Sequence, residues 1–288
     1  MTDTPKQTKN QRREEAREAA RVQREKTAKR KKTLKWLIPT VASVAILAIV
    51  AGVVWAVIAL QPAPKKEAGP LNMISDGILF ESDGNGGVQY VATKAIAKGG
   101  DPVPTTPRDG MLNIVSYVDF SCPACKAFEA TNAEYIKSLV ADGQATHEVH
   151  PISILDYRGY TTDYATRANN VGACVANYSP ENFLDVMAAM YEQQPSEGTA
   201  GLGNSAIVDV VTSTGLDVPE INTCITDELF TPWVGAASDR ALGGPLPNTD
   251  VASVGGTPTI LVNGVQYDGS LTDPSAFQAF LAQQAAAL

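Results

Sequence analysis

Residues 112–130 read LNIVSYVDFSCPACKAFEA, and their reading decides the architecture. Leu112 to Phe120 is an apolar run with the composition of a buried strand. Cys122-Pro123-Ala124-Cys125 then opens a helix that runs to about Ala141, with Phe128, Tyr135, Ile136, Leu139 and Val140 on one apolar face. Two thiols three residues apart at a helix start can close a small disulfide ring and reopen it. The first-turn N–H groups lack helical partners and carry partial positive charge, which favours a thiolate at Cys122. A thiolate that attacks, with a second thiol beside it to resolve, is the working unit of disulfide exchange.

Working outward, Thr146 to Leu155 reads as the next strand, so a right-handed crossover and parallel pairing are expected. Upstream, Ile78 to Ala92 reads as a hairpin turning at Asp83-Gly84-Asn85-Gly86-Gly87. That turn lacks the later acidic ligands and closing Glu of a calcium loop. Gly99 to Gly110, with three prolines, is loop. Thr161 to Leu242 reads as several short helices, broken near Pro180, 195–203, 215–219 and Pro232. Strands return at Pro258 to Val262 and Val265 to Tyr267, joined by Asn263-Gly264, a strong hairpin signal. Asp273 caps a last helix with Pro274 at its first position and Phe277, Phe280 and Leu281 facing inward.

Charge divides the chain. Residues 1–35 hold 13 of the 23 Lys+Arg and 5 of the 31 Asp+Glu, leaving 10 basic against 26 acidic side chains beyond them. A basic head on an acidic body argues against a nucleic-acid binder. From Trp36 to Leu60 no charged residue occurs in 25 positions. About 20 suffice to cross a bilayer as a helix. The cluster Lys29 to Lys32 with Lys35 just before it places the N-terminus in the cytoplasm. Leu60-Gln61-Pro62 offers no small-residue cleavage site, so residues 36–60 read as an uncleaved single-pass anchor in the cell membrane. All four cysteines lie beyond it, which suits an oxidising, extracytoplasmic compartment.

The order strand, Cys-x-x-Cys helix, strand, helical insertion, Gly256-Thr257-Pro258-Thr259, hairpin, helix resembles an α/β thioredoxin fold with an inserted α-helical domain, as in DsbA-like thiol–disulfide oxidoreductases. The resemblance covers about residues 76–288. With its single transmembrane helix and an extra cysteine pair in the insert, the chain looks most like the membrane-anchored DsbA proteins of actinobacteria. It implies a cytoplasmic tail over 1–35, the anchor over 36–60 and a tether over 61–75. The thioredoxin-like domain would occupy 76–157 and 246–288, with the helical insertion at 158–245.

The resemblance also implies roles. Cys122 would be the exposed nucleophile and Cys125 the shielded resolving thiol, with Pro123 and Ala124 as the dipeptide between them. Pro258 would be cis and face the pair, with Thr257 offering backbone groups to an extended substrate. No metal or organic cofactor is implied. The substrates would be unfolded exported proteins with free thiols, oxidised at the expense of the Cys122–Cys125 disulfide. A DsbB-like or vitamin K epoxide reductase-like membrane protein would reoxidise the enzyme. A reductase or isomerase on the same scaffold, or a binding module with merely structural disulfides, are the alternatives.

Two departures matter. Ala124 stands where the DsbA of proteobacteria has a thiolate-stabilising His, and Ser116 stands where the family tends to place a buried acid. Asp119 is near, but strand alternation puts it on the opposite face. A milder oxidant than the His-bearing enzymes is expected. Cys174 and Cys224, 50 positions apart, read best as a staple between helices, a second redox relay being the alternative. His147 and His150 follow the cysteines at non-zinc spacing and, on a strand, point to opposite faces, so they read as structural or surface residues. Asn177-Tyr178-Ser179 matches a glycosylation sequon, a pattern frequent by chance.

Overall fold

The computed structural model describes residues 67–288, together with Arg21, Gln23 and Lys26. The anchor at 36–60 lies outside the described residues, as do nearly all of the tail and the tether up to 66. Among the described residues no helix is long and apolar enough to cross a membrane.

The apolar run forms β3, Leu112–Val118, preceded by the hairpin β1, Ile78–Ser82, and β2, Val88–Tyr90. Helix α1, Pro123–Ala141, follows β3 and leads into β4, Ala145–Pro151. β3 and β4 pair in parallel, with Ser116 opposite Val149. The helical segment comprises α2, Tyr164–Tyr178; a short 3-10 turn, Pro180–Asn182; α3, Phe183–Glu192; and α4, Asn204–Ser213. It ends with α5, Pro219–Thr226, and α6, Thr231–Gly243. The chain closes with β5, Thr259–Val262, β6, Val265–Gln266, and α7, Pro274–Ala285.

The six strands lie in the order β2-β1-β4-β3-β5-β6, with β3–β4 the parallel pair and the other neighbours antiparallel. The turns follow their residues. Asp83 Oδ1 accepts from the N–H of Asn85 and of Gly87, which closes the β1–β2 turn. Asn263 and Gly264 both take positive φ, 50° and 80°, as a tight turn between right-twisted strands demands. Asp273 accepts from the Ser275 N–H at 3.0 Å and caps α7.

Two corrections concern chain limits. β3 ends at Val118 and β4 at Pro151, short of Phe120 and Leu155, because residues 119–121 and 152–155 turn away from the ladder to build the site. The stretch read as the end of the tether is already folded on. Gly69 N–H donates to the Ile96 carbonyl, Leu71 N–H donates to Asn177 Oδ1, and Met73 is fully buried.

One core joins sheet and helices. Phe120 meets the edges of Phe183 and Tyr191 at 6.2 and 5.7 Å between centroids, and Phe128 meets Phe277 at 5.1 Å. Each such burial contributes roughly 1.5–3 kcal/mol. Gly172 on α2 gives Phe120 its room, since a Cβ there would stand 3.2 Å from the ring. Phe120 thereby locks the loop before the cysteines against the helical segment. A smaller cluster, with Tyr117, Ile152, Leu246 and Leu261, fills the other side of the sheet.

Candidate active site

Cys122 is the N-cap residue of α1, in extended conformation at φ −85° and ψ 121°, and Pro123 occupies the first turn. The Cys122 N–H is tied back to the Asp119 carbonyl at 2.9 Å, and its own carbonyl accepts from the Lys126 N–H. Cys122 and Cys125 are free thiols, one turn apart. Pro123 is exposed and Ala124 half-buried.

The peptide bond between Thr257 and Pro258 is cis, and Cys122 Sγ lies 3.4 Å from the Thr257 carbonyl oxygen, to which it donates as a thiol. The Cys pair and the Thr-Pro element, 135 residues apart, therefore meet. The Thr257 hydroxyl is buried and has no partner while Cys122 is a thiol. A second cis bond, Gly244–Pro245, had no distinguishing signal in the sequence.

The two sulfurs are driven in opposite directions. The Cys122 pKa is lowered to about 6, first by the hydrogen bond from the Cys125 thiol and next, against burial, by the Thr257 side chain and the N–H groups of Cys125 and Ala124. Burial pushes the Cys125 thiol well above the usual range, and the hydrogen bond and charge of Cys122 add to it. One thiol is thus held as a nucleophile and the other as its proton-bearing partner. One expectation is corrected: Cys122 is only 6 % exposed, so the nucleophile sits at a rim and not in the open.

Asp119 lies one residue past the end of β3, and its carboxyl is fully buried. Oδ1 accepts from the Ser121 N–H, the Ser121 hydroxyl and Asn169 Nδ2, and Oδ2 accepts from the Ile154 N–H. Burial raises its pKa and these donors oppose the rise. The Asp119 N–H points at Cys125 Sγ, 3.5 Å away.

The helical segment reaches the same loop through residues that sequence reasoning missed. Asn169 Oδ1 accepts from the Phe120 N–H, Gln194 donates to the Phe120 carbonyl, and the Tyr160 hydroxyl donates to the Ser121 carbonyl at 2.9 Å. Polar residues at 169 and 194 carry no distinguishing pattern; only the fold reveals them. Ser116, at the position of the expected acid, bonds His147 Nε2 at 2.9 Å. His147 is held neutral by burial, its pKa lowered to about 4. His150 faces the other side, stacked on Tyr117 and 3.5 Å from Glu148. Both imidazoles are buried, which excludes the surface reading, and they are on opposite sides of the sheet. Among the described residues no group of three or more His, Cys, Asp or Glu could hold a metal ion.

Cys174 on α2 and Cys224 on α5 form a disulfide with Cα atoms 5.8 Å apart. It joins two helices of the segment, as the staple reading requires.

The thioredoxin family model matches residues 108–283, from the loop before β3 into α7. Comparison with curated proteins gave no match. Among solved structures, DsbA from Mycobacterium tuberculosis in its reduced form is similar at 26 % identity and a TM-score of 0.54, covering 72 % of this chain and 91 % of that one. The reduced disulfide bond oxidoreductase DsbG of the same organism matches at 28 % identity and 0.51, covering 63 % and 81 %. Oxidised BdbD from Bacillus subtilis, at 17 % identity and 0.52, covers 77 % and 99 % and supports the fold alone. The match spans more than half of the sequence and contains both the Cys-x-x-Cys helix start and the cis-proline that faces it: this chain belongs to the thioredoxin family.

Proposed function

We propose that the protein is an extracytoplasmic thiol–disulfide oxidoreductase that works as a disulfide oxidase on exported, unfolded polypeptides. The observation that carries this reading is the asymmetry of the pair: Cys122 is acidic, beside the cis-proline element, and Cys125 is buried and reluctant to ionise.

A substrate thiolate attacks Cys122 Sγ of the Cys122–Cys125 disulfide. The S–S bond breaks, Cys125 leaves and takes up a proton, and a mixed disulfide forms on Cys122. A second substrate thiolate attacks the substrate sulfur of that bond, and Cys122 leaves as a thiolate. The substrate has lost two electrons and the enzyme pair has gained them. Stabilisation of the departing Cys122 thiolate by the Cys125 thiol and the Thr257 hydroxyl favours this direction. The backbone of Thr257 supplies hydrogen-bonding groups to an extended segment of substrate.

Turnover then needs an oxidant for the dithiol, and a DsbB-like or vitamin K epoxide reductase-like membrane protein is the proposed source. An anchor over residues 36–60, with residues 1–35 in the cytoplasm, would hold the catalytic domain beside it. The similarity to the disulfide bond oxidoreductase DsbG of Mycobacterium tuberculosis favours the same chemistry. The test compares oxidative refolding of a reduced two-disulfide protein with reduction of insulin. Fast refolding and slow insulin reduction are expected; fast insulin reduction alone would make the protein a reductase.

A further inference from the structure

Behind the redox pair, α1 and α3 leave a cleft of about 430 Å³ between them. Its walls are apolar: Ala130, Ala133 and Val140 from α1, and Leu184, Met187 and Ala188 from α3. Phe80 and His147 line it from the sheet.

Two polar groups lie in this apolar surround. Glu129, one turn beyond Cys125 on α1, is 8 % exposed, and its Oε1 has no hydrogen-bond partner. Tyr191 on α3 is 3 % exposed, and its hydroxyl has no partner either. Buried polar atoms are nearly always paired, and leaving one bare is costly. Both residues line the cleft, with their unpartnered oxygens just beneath its wall.

The chemistry of the occupant follows. Burial raises the Glu129 carboxyl to about 7, so near neutrality it is substantially protonated and both donates and accepts. The Tyr191 hydroxyl does the same. At the rim Lys126 and Lys137 stand among Glu134, Asp185 and Glu192, so neither sign of charge dominates. Lys126 is further engaged with the Glu192 carbonyl at 3.2 Å. Nothing there selects an ion. A volume of this size suits a small organic molecule.

We propose that the α1–α3 cleft is a binding site for a small uncharged molecule with an apolar body and a donor–acceptor head of the amide or phenol class, the head seated on Glu129 and Tyr191. This site is separate from the substrate face of the cysteine pair and does not depend on the direction of thiol exchange.

The test uses the full chain in lipid nanodiscs and 4-(trifluoromethyl)benzamide as probe, followed by fluorine NMR. Saturable line broadening is expected with the native protein. Ala133→Trp and Ala188→Trp fill the cleft from opposite walls and should abolish it; retained Cys122 alkylation certifies that each variant is folded. Glu129→Leu removes one hydrogen bond to the head and should weaken binding about tenfold. Absence of saturable broadening with the native protein, or broadening unchanged by the folded plug variant, overturns the site. Unchanged affinity in Glu129→Leu overturns the assignment of the head group.

Discussion

Replacing Cys125 by alanine should make Cys122 a poorer thiolate, by an amount that the geometry sets. The hydrogen bond from the Cys125 thiol is the largest influence lowering Cys122 to about 6. A hydrogen bond to a charged group is worth roughly 1.5–3 kcal/mol, and each 1.4 kcal/mol is a factor of ten. The thiolate-to-thiol ratio of Cys122 at a given pH should therefore fall about 10- to 100-fold, moving its titration midpoint to about 7–8. The remaining gap to an ordinary thiol belongs to the Thr257 side chain and the N–H groups of Ala124 and Cys125, which the substitution leaves in place. The midpoint is read from thiolate absorbance near 240 nm or from the pH dependence of iodoacetamide alkylation, with Cys174–Cys224 intact. A variant that still titrates near 6 would show that the helix N-terminus and Thr257 carry the effect, and the reasoning about the sulfur pair would be wrong.

Other outcomes follow from the same geometry. Cys174→Ala with Cys224→Ala opens a 50-residue loop, and the chain-entropy model puts the loss at roughly 4 kcal/mol. The melting temperature should fall by about 8–16 °C while Cys122 keeps its alkylation profile; a changed profile would favour the relay reading. Ala124→His adds a donor beside Cys122 and should lower its midpoint below 6, with a more oxidising pair in glutathione equilibrium; an unchanged midpoint counts against that placement. Asp119→Ala strips the acceptor from the Ser121, Ile154 and Asn169 donors and should cost at least ~3 kcal/mol in urea unfolding, whereas a neutral effect would mean the loop is held elsewhere.

Acidification separates two buried groups. His147 is lowered to about 4 from 6.5, so below pH 6.5 the unfolded chain binds the proton first and stability is lost down to pH 4. Glu129 is raised to about 7 from 4.5, so the folded chain binds the proton first and gains stability as pH falls from 7 to 4.5. The contributions oppose each other. Relative to the native protein, His147→Gln should tolerate acid better and Glu129→Gln worse, by up to ~3 kcal/mol each in denaturant titrations at pH 7 and 4.5. Parallel curves for native protein and variants would refute both assignments.

What the sequence made legible is what short-range chemistry encodes. The apolar run ending at a Cys-x-x-Cys helix start, the Asp83–Gly87 and Asn263-Gly264 turns and the Asp273 cap all lie where their residues demand. Long-range polar placement was not legible. The partners of the buried Asp119 carboxyl, on Ser121, Ile154 and Asn169, carry no local signature. Asn169, Gln194 and Tyr160 come from the helical segment and meet the loop before Cys122 only when the chain is folded. Glu129 looks like an ordinary exposed helix acid; only the packing of α3 onto α1 shows it buried. The exposure of Cys122 was overestimated for a related reason, since the Thr257 carbonyl comes to rest against its sulfur.

The central claim is that a stabilised Cys122 thiolate makes the reduced pair comfortable and its disulfide oxidising. The most direct measurement is the equilibrium of the Cys122–Cys125 pair of the native protein with reduced and oxidised glutathione at pH 7. Thioredoxin lies near −270 mV and strongly oxidising relatives near −120 mV, and the account predicts a potential between them, well above the thioredoxin value. A potential at or below about −270 mV would contradict it.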